Sequence, residues 1–297
     1  MTLKTIYIAR HGYRSNWLPP PHPPNPTGID SDPALAPHGV EQAKELAGYL
    51  GSLPKDEQPQ FILASPFYRC VETSQPIAQA LKTPIALERG IGEWYKKSRD
   101  VVPEPANYDV LKKFFPELGD AELWNRDETI GVIPNKEGET EEEIYQRSLS
   151  FWKKLIPTFE AKFPEIDNII LVTHAASKIA LGSSLLGVPS VFDPIDSNNT
   201  LLRAGACSLD KYILEGDRWT IKMNGNCDFL TQGEEMNWNF HWKFEAGSDE
   251  DIKARKELEK KKKLGSQGAS QDGEMPPVTD IAYGLEKPSD DNYEVSS

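Results

Sequence analysis

The chain has 297 residues, enough for one large domain or two small ones. It sets 46 acidic residues against 33 lysines and arginines, a formal net charge of −13, which excludes the cationic surface that direct nucleic-acid binding needs. The three scattered cysteines (Cys70, Cys207, Cys227) exclude a disulfide framework or clustered zinc site, and no apolar run reaches the ~18 residues of a membrane span. Arg10 and His11 interrupt the first apolar stretch too early for a secretory signal, so the expectation is a soluble cytoplasmic or nuclear protein.

In chain order, Ile6-Tyr7-Ile8-Ala9 is short, apolar and β-branched, the composition of a buried strand. The proline cluster from Pro19 to Pro26 blocks any helix, because proline lacks the N–H and fixes φ. Val40, Ala43, Leu46, Ala47 and Leu50 recur at helical spacing and predict a helix over Gly39–Leu50. A second strand is predicted at Phe61–Ala64 and a helix at Tyr68–Leu81. A long helix covers Thr140–Phe163, with Ile144, Leu149, Phe151, Trp152 and Leu155 toward the core. Asn168–Thr173 is the most apolar strand, followed by a helix over Ala176–Leu186, and two further strands are predicted at Ala206–Leu214 and Arg218–Met223. Strands alternating with helices predict an α/β fold of three layers, a mainly parallel sheet with helices on both faces, whose ligands sit at the carboxyl ends of the strands.

The last part of the chain differs. From Glu245 to Ser297, seven of 53 positions are Leu, Ile, Val or Phe, about 13%, too few to build a core. Asp251–Leu264 reads as a charged helix and Gly265–Ser270 as a flexible linker. The expected organisation is therefore a domain over 1–245 and a disordered or conditionally ordered, charged tail over 246–297.

Three strands run directly into residues suited to one task. They are Arg10-His11-Gly12-Tyr13-Arg14, Ser65-Pro66 through Arg69, and Thr173-His174. Parallel strands bring Arg10, His11, Arg14, Arg69 and His174 to one edge of the sheet, where guanidiniums grip a phosphoryl group bidentately. Cationic neighbours depress the pKa of an imidazole and keep it nucleophilic.

These motifs resemble the histidine phosphatase superfamily, also called phosphoglycerate mutase-like. The likeness rests on Arg10-His11-Gly12, on Leu35-Ala36-Pro37-His38-Gly39 with Gln42-Ala43, and on Ser65-Pro66 to Arg69 with Thr73. Gly138-Glu139-Thr140 with Arg147 and Thr173-His174-Ala175 complete it. The resemblance implies that His11 is the phosphorylated nucleophile, that Arg10, Arg14, Arg69 and His174 bind phosphate, and that Glu93 in Gly90-Ile91-Gly92-Glu93-Trp94 is the general acid. His11, Glu93 and His174 are then the catalytic set, with no metal and no cofactor. Tyr13 and Asn16-Trp17 depart from the mutase pattern and leave the phosphorylated substrate, a small molecule or a phosphoprotein, open.

Longer stretches look like a fungal branch of the superfamily, among them Gly90 to Tyr95, His174 to Leu181 and Gly233 to Phe240. That branch contains the tau subunit of the RNA polymerase III transcription factor TFIIIC and shorter stand-alone relatives. It implies a metal-independent phosphomonoesterase or, alternatively, an interaction subunit of that factor, with partners met through the tail or through the stripe of Met236, Trp238, Phe240, Trp242 and Phe244. The stripe has a period of two, which fits packing on the domain as well as an exposed docking face. His22, His38 and His241 read as structural or exposed, and Cys70 as core filler.

Overall fold

The computed structural model describes residues 3–120, 122–124 and 131–268. Its sheet has six strands: β1 (Thr5–Arg10), β2 (Phe61–Ala64), β3 (Ile85–Leu87), β4 (Asn168–Thr173), β5 (Leu209–Glu215) and β6 (Arg218–Asn226). They lie in the order β3-β2-β4-β1-β5-β6. The first four are parallel, and β5 and β6 add an antiparallel hairpin against β1. Gly216 turns that hairpin with a φ of +66°, a conformation that glycine adopts without steric cost.

Every residue of β1, β2 and β4 is buried, as strands covered on both faces must be. Alternation along the strands divides their side chains between two cores. Tyr7, Ala9, Ile62, Ala64, Ile170 and Val172 pack with α1 (Pro37–Ser52) and α2 (Tyr68–Leu81). Their neighbours Ile6, Ile8, Phe61, Leu63, Ile169 and Leu171 pack with α4 (Glu141–Lys162) and α5 (Ala175–Leu186). The three layers expected from the sequence are present. β3 and the short α3 (Tyr108–Leu111) were not anticipated, since three or four residues show no periodicity.

Register brings the strand ends level. Arg10 pairs with Thr173 and Ala64 with Val172, so His11, Ser65 and His174 all emerge at the same edge. Behind that edge, Lys178 of α5 and Asp210 of β5 form a buried ion pair at 2.6 Å. Lys178 Nζ also donates to the Arg203 carbonyl, while Asp210 accepts from Gly225 N–H and the Tyr212 hydroxyl. Each charge is thus compensated, the condition under which a buried pair persists.

The chain packs as one unit as far as Lys253, beyond Glu245 where composition changes. A final helix, α6 (Asp249–Gly268), starts inside this unit with Asp249, Glu250 and Asp251 in its first turn, where acidic groups complement the helix dipole. It runs past Gly265, where the sequence reading begins a linker; Glu257 and Lys261 stand at the i, i+4 spacing that supports a helix. The remainder of the expected tail, residues 269–297, lies outside the described residues. No helix among the described residues is long and apolar enough to cross a membrane.

Candidate active site

His11 follows β1, and its N–H donates to the Thr173 carbonyl at 2.9 Å, continuing the ladder one step past the strand. Its ring Nδ1 lies 2.8 Å from the Gly12 carbonyl. A carbonyl only accepts, so Nδ1 carries the proton and the lone pair sits on Nε2. Burial, Arg69 and Arg10 hold the His11 pKa well below its ordinary value, and the imidazole is neutral.

Close backbone packing fixes this loop. A Cβ on Gly12 would come within 2.7 Å of the Gly39 carbonyl, and one on Gly39 would overlap the Tyr13 carbonyl. Gln42 of α1 accepts from Tyr13 N–H at 2.9 Å, and Thr73 of α2 accepts from Gly12 N–H at 3.1 Å. The motif residues of both helices therefore clamp the loop that carries His11. Ser15–Trp17 then forms a 3₁₀ turn, which brings the Trp17 ring 5.1 Å from the guanidinium carbons of both Arg10 and Arg14.

The three arginines are buried and separately anchored. Arg10 Nη1 donates to the carbonyls of Ala204 and Met236, each at 2.6 Å. Arg14 donates from Nε to Asn16 and from Nη2 to the Gly247 carbonyl at 2.9 Å. Burial and the Arg69 charge pull its pKa down to about 10, leaving it charged at neutral pH. Arg69, in the first turn of α2, pairs through Nη1 with Asp32 at 3.2 Å and through Nη2 with Glu93 at 2.9 Å. Burial opposes its charge, but the carboxylates of Glu93 and Asp32 more than offset this.

Glu93 Oε2 also stands 3.1 Å from His174 Nδ1. Arg69 Nη2 lies 3.1 Å from the same Nδ1, and on the other side of the ring Nε2 stands 2.8 Å from the Ser65 hydroxyl, so both nitrogens are held. Burial lowers the His174 pKa to about 4 against the pull of Glu93, so this ring is neutral too. For Glu93, burial pushes upward, yet His174, Arg69 and Arg14 hold it well below the usual carboxylate range.

The loop carrying Glu93 hangs on residues far away in sequence. Arg147 of α4 binds both oxygens of Glu139, at 2.7 and 2.9 Å, and donates to the Gly90 carbonyl. Thr173 donates to the carbonyl of Ile91, and Ser177 to that of Gly92. The segment Glu245–Asp251 closes the site from above. Glu245 pairs with Arg99 and accepts from Lys96 N–H, while buried Asp251 accepts from Gly247 N–H and from the Trp242 indole. Beneath it lies a cavity of about 250 Å³ lined by Arg14, Asn16, Glu93, Tyr95 and this segment.

The structure thus gathers all six residues singled out in the sequence: Arg10, His11, Arg14, Arg69, Glu93 and His174. Ser65, which opens the second motif, bonds His174, and the structure adds Asp32 and the 245–251 segment, which local sequence patterns do not reveal because their partners are 37 to 233 residues away. His11, Glu93 and His174 offer ligand atoms within 4.8 Å of one another, a donor set suited to a divalent ion. Three surrounding guanidiniums oppose any cation there.

Residues 6–226 match the profile of the histidine phosphatase superfamily (branch 1). The chain belongs to that superfamily. It is 52% identical over 284 residues to the transcription factor tau 55 kDa subunit of Saccharomyces cerevisiae, an alignment covering 88% of this chain and 64% of the yeast protein. The chain therefore spans less than two thirds of that relative's length. Among solved structures, the ecdysone phosphate phosphatase of Bombyx mori in complex with tungstate superposes with a TM-score of 0.55 at 17% identity, covering 74% of this chain and 92% of that one. This likeness shows the shared fold.

Within the superfamily fold, the other sequence expectations find their places. Cys70 is buried 3.6 Å from His174 Nε2, and burial pushes its thiol upward, the behaviour of packing and not of a nucleophile. His38 pairs with Glu235, and exposed His241 bonds the Phe192 carbonyl. The aromatic stripe forms no strand. Trp238 and Phe240 are buried against Trp94, and the Trp238 indole donates to the Phe244 carbonyl. Residues 121 and 125–130 fall outside the described residues.

Proposed function

We propose that the chain is a phosphomonoesterase working through a phosphohistidine at His11, with the substrate's identity open. The observation that carries this is the His11 tautomer: a neutral imidazole whose Nε2 lone pair stands among three guanidiniums. Nε2 attacks phosphorus in line; the P–O bond to the leaving group breaks, and Glu93 gives that oxygen its proton. Water then attacks the phosphohistidine and returns a proton to Glu93, releasing phosphate and regenerating the imidazole. Arg10, Arg14, Arg69 and His174 hold the non-bridging oxygens through both steps. The guanidiniums supply the charge stabilisation, so no step calls for a metal.

Rapid mixing with a radiolabelled phosphomonoester, quenched in alkali, tests the intermediate. Label should remain on the peptide containing His11 in base and leave it in acid. Substrate turnover with label on another residue would overturn the assignment.

A second reading rests on the 52% identity to the yeast subunit: the chain acts in the nucleus as an interaction subunit of the RNA polymerase III factor TFIIIC, with the phosphatase site retained on a scaffold. With Trp238 and Phe240 buried in the domain, the charged helix α6 and the residues after it are the contact region for such partners in this reading. Affinity-tagged chain should then co-purify with the other subunits of that factor, and recovery of the chain alone from nuclear extract would remove this reading.

A further inference from the structure

Two residues beyond Glu93, Tyr95 presents an unusual combination. Its side chain is held firmly, but its hydroxyl is buried with no hydrogen-bond partner. The Arg99 guanidinium stacks on the ring at 4.7 Å, and Phe67 meets it edge-on at 6.3 Å. The Tyr95 carbonyl accepts from Glu139 N–H at 2.8 Å, which ties the backbone to the segment that Arg147 anchors. Disorder of the side chain therefore does not account for the orphan. Buried hydroxyls in native proteins nearly always have partners, so an exception on a residue that lines a cavity calls for one from a water or a bound ligand.

Tyr95 is only 7% exposed and lines the same cavity as Arg14 and Glu93. The charges acting on its phenol are those of the site: Arg69, Glu93 and Arg14, together with Arg99. Burial first, then Glu93 against the arginines, pushes the phenol up to about 12, so it stays protonated and able to donate. We propose that the Tyr95 hydroxyl is a phosphoryl-binding donor, giving a hydrogen bond to a non-bridging oxygen of the bound monoester or of product phosphate. It would add a neutral donor to a pocket otherwise built from cations and imidazoles. A phenol brings no charge, so it grips the anion without further depressing the pKa values of His11 and Glu93.

This inference rests on the phosphomonoesterase reading for the identity of the anion, and Tyr95→Phe tests it while keeping the ring that Arg99 and Phe67 pack against. Calorimetric titration with inorganic phosphate should show a dissociation constant raised about 10- to 100-fold, the scale of a lost hydrogen bond to a charged group. kcat/KM for p-nitrophenyl phosphate should fall by a similar factor, and the urea midpoint should stay level or rise, because the variant no longer buries an unpaired hydroxyl. A purely structural tyrosine would lower the urea midpoint on substitution and leave phosphate binding alone; that result overturns the proposal, as does wild-type protein that binds no phosphate. If wild-type protein binds phosphate without turning over substrate, and Tyr95→Phe still weakens that binding, the phosphohistidine reading fails and this one stands.

Discussion

His11→Ala should lower kcat for p-nitrophenyl phosphate by about 10⁴- to 10⁶-fold, the loss that follows removal of a covalent nucleophile. Alanine leaves the arginines and His174 in place, so phosphate should still bind and only the chemical step should suffer. The surrounding backbone gives the substitution little reason to disturb the fold. The loop is clamped by Gln42 and Thr73 through the N–H groups of Tyr13 and Gly12, and neither contact uses the imidazole. The wild-type pH profile carries a second signature. A nucleophilic imidazole is active only when neutral, and here burial and three arginines lower its pKa well below 6.5. kcat/KM, corrected for ionisation of the substrate, should persist as pH falls through 6.5; a drop centred there would mean that the reacting histidine lies in an ordinary environment. A loss smaller than tenfold in His11→Ala would exclude the covalent mechanism altogether.

Glu93→Gln should cost about 10²- to 10⁴-fold in kcat/KM, which reports formation of the phosphohistidine and not its hydrolysis, with an alkyl phosphate and clearly less with p-nitrophenyl phosphate, whose leaving group departs without a proton. The charges in the pocket explain how a carboxylate held so acidic can donate. Arg10, Arg14 and Arg69 face Asp32 and Glu93 with both histidines neutral, so the site carries one net positive charge. A bound phosphate dianion reverses that sign, and a proton on Glu93 restores neutrality. Substrate binding thus cancels the attraction that depressed Glu93 and leaves burial, which raises it, in command. In the complex, kcat should decline on the alkaline side as Glu93 ionises, and Glu93→Gln should flatten that limb. Equal losses with both substrates would move the proton donor elsewhere.

Much of the architecture could be read from runs of apolar residues. Ile6–Ala9, Phe61–Ala64 and Asn168–Thr173 are strands buried on both faces, and parallel pairing then obliges the residues after them to converge. That is why Arg10, His11, Arg69 and His174 could be grouped before any coordinates. Glu93 was found through a likeness of motifs, since its loop follows a three-residue edge strand that leaves no periodic trace. Contacts between distant segments stayed hidden. Asp32 holds Arg69 from a loop beyond the proline cluster, and nothing in the local pattern joins them. The alternation at 236–244 pointed correctly to an apolar face, but the Trp238 to Phe244 hydrogen bond curls the segment where a strand would have run on.

Gly247 has a practical consequence for anyone cutting this protein down. Its carbonyl occupies Arg14, and its missing side chain makes room for Trp17, whose indole nitrogen would lie 2.5 Å from a Cβ there. Composition invites truncation after Glu245, yet such a fragment would discard part of the wall of the pocket that holds Arg14 and Glu93. Arg14 would lose an anchor, Trp17 would meet water, and the excised domain would report the kinetics of a damaged pocket. Tags and fusion partners are safer joined after Lys253, where the packed unit ends.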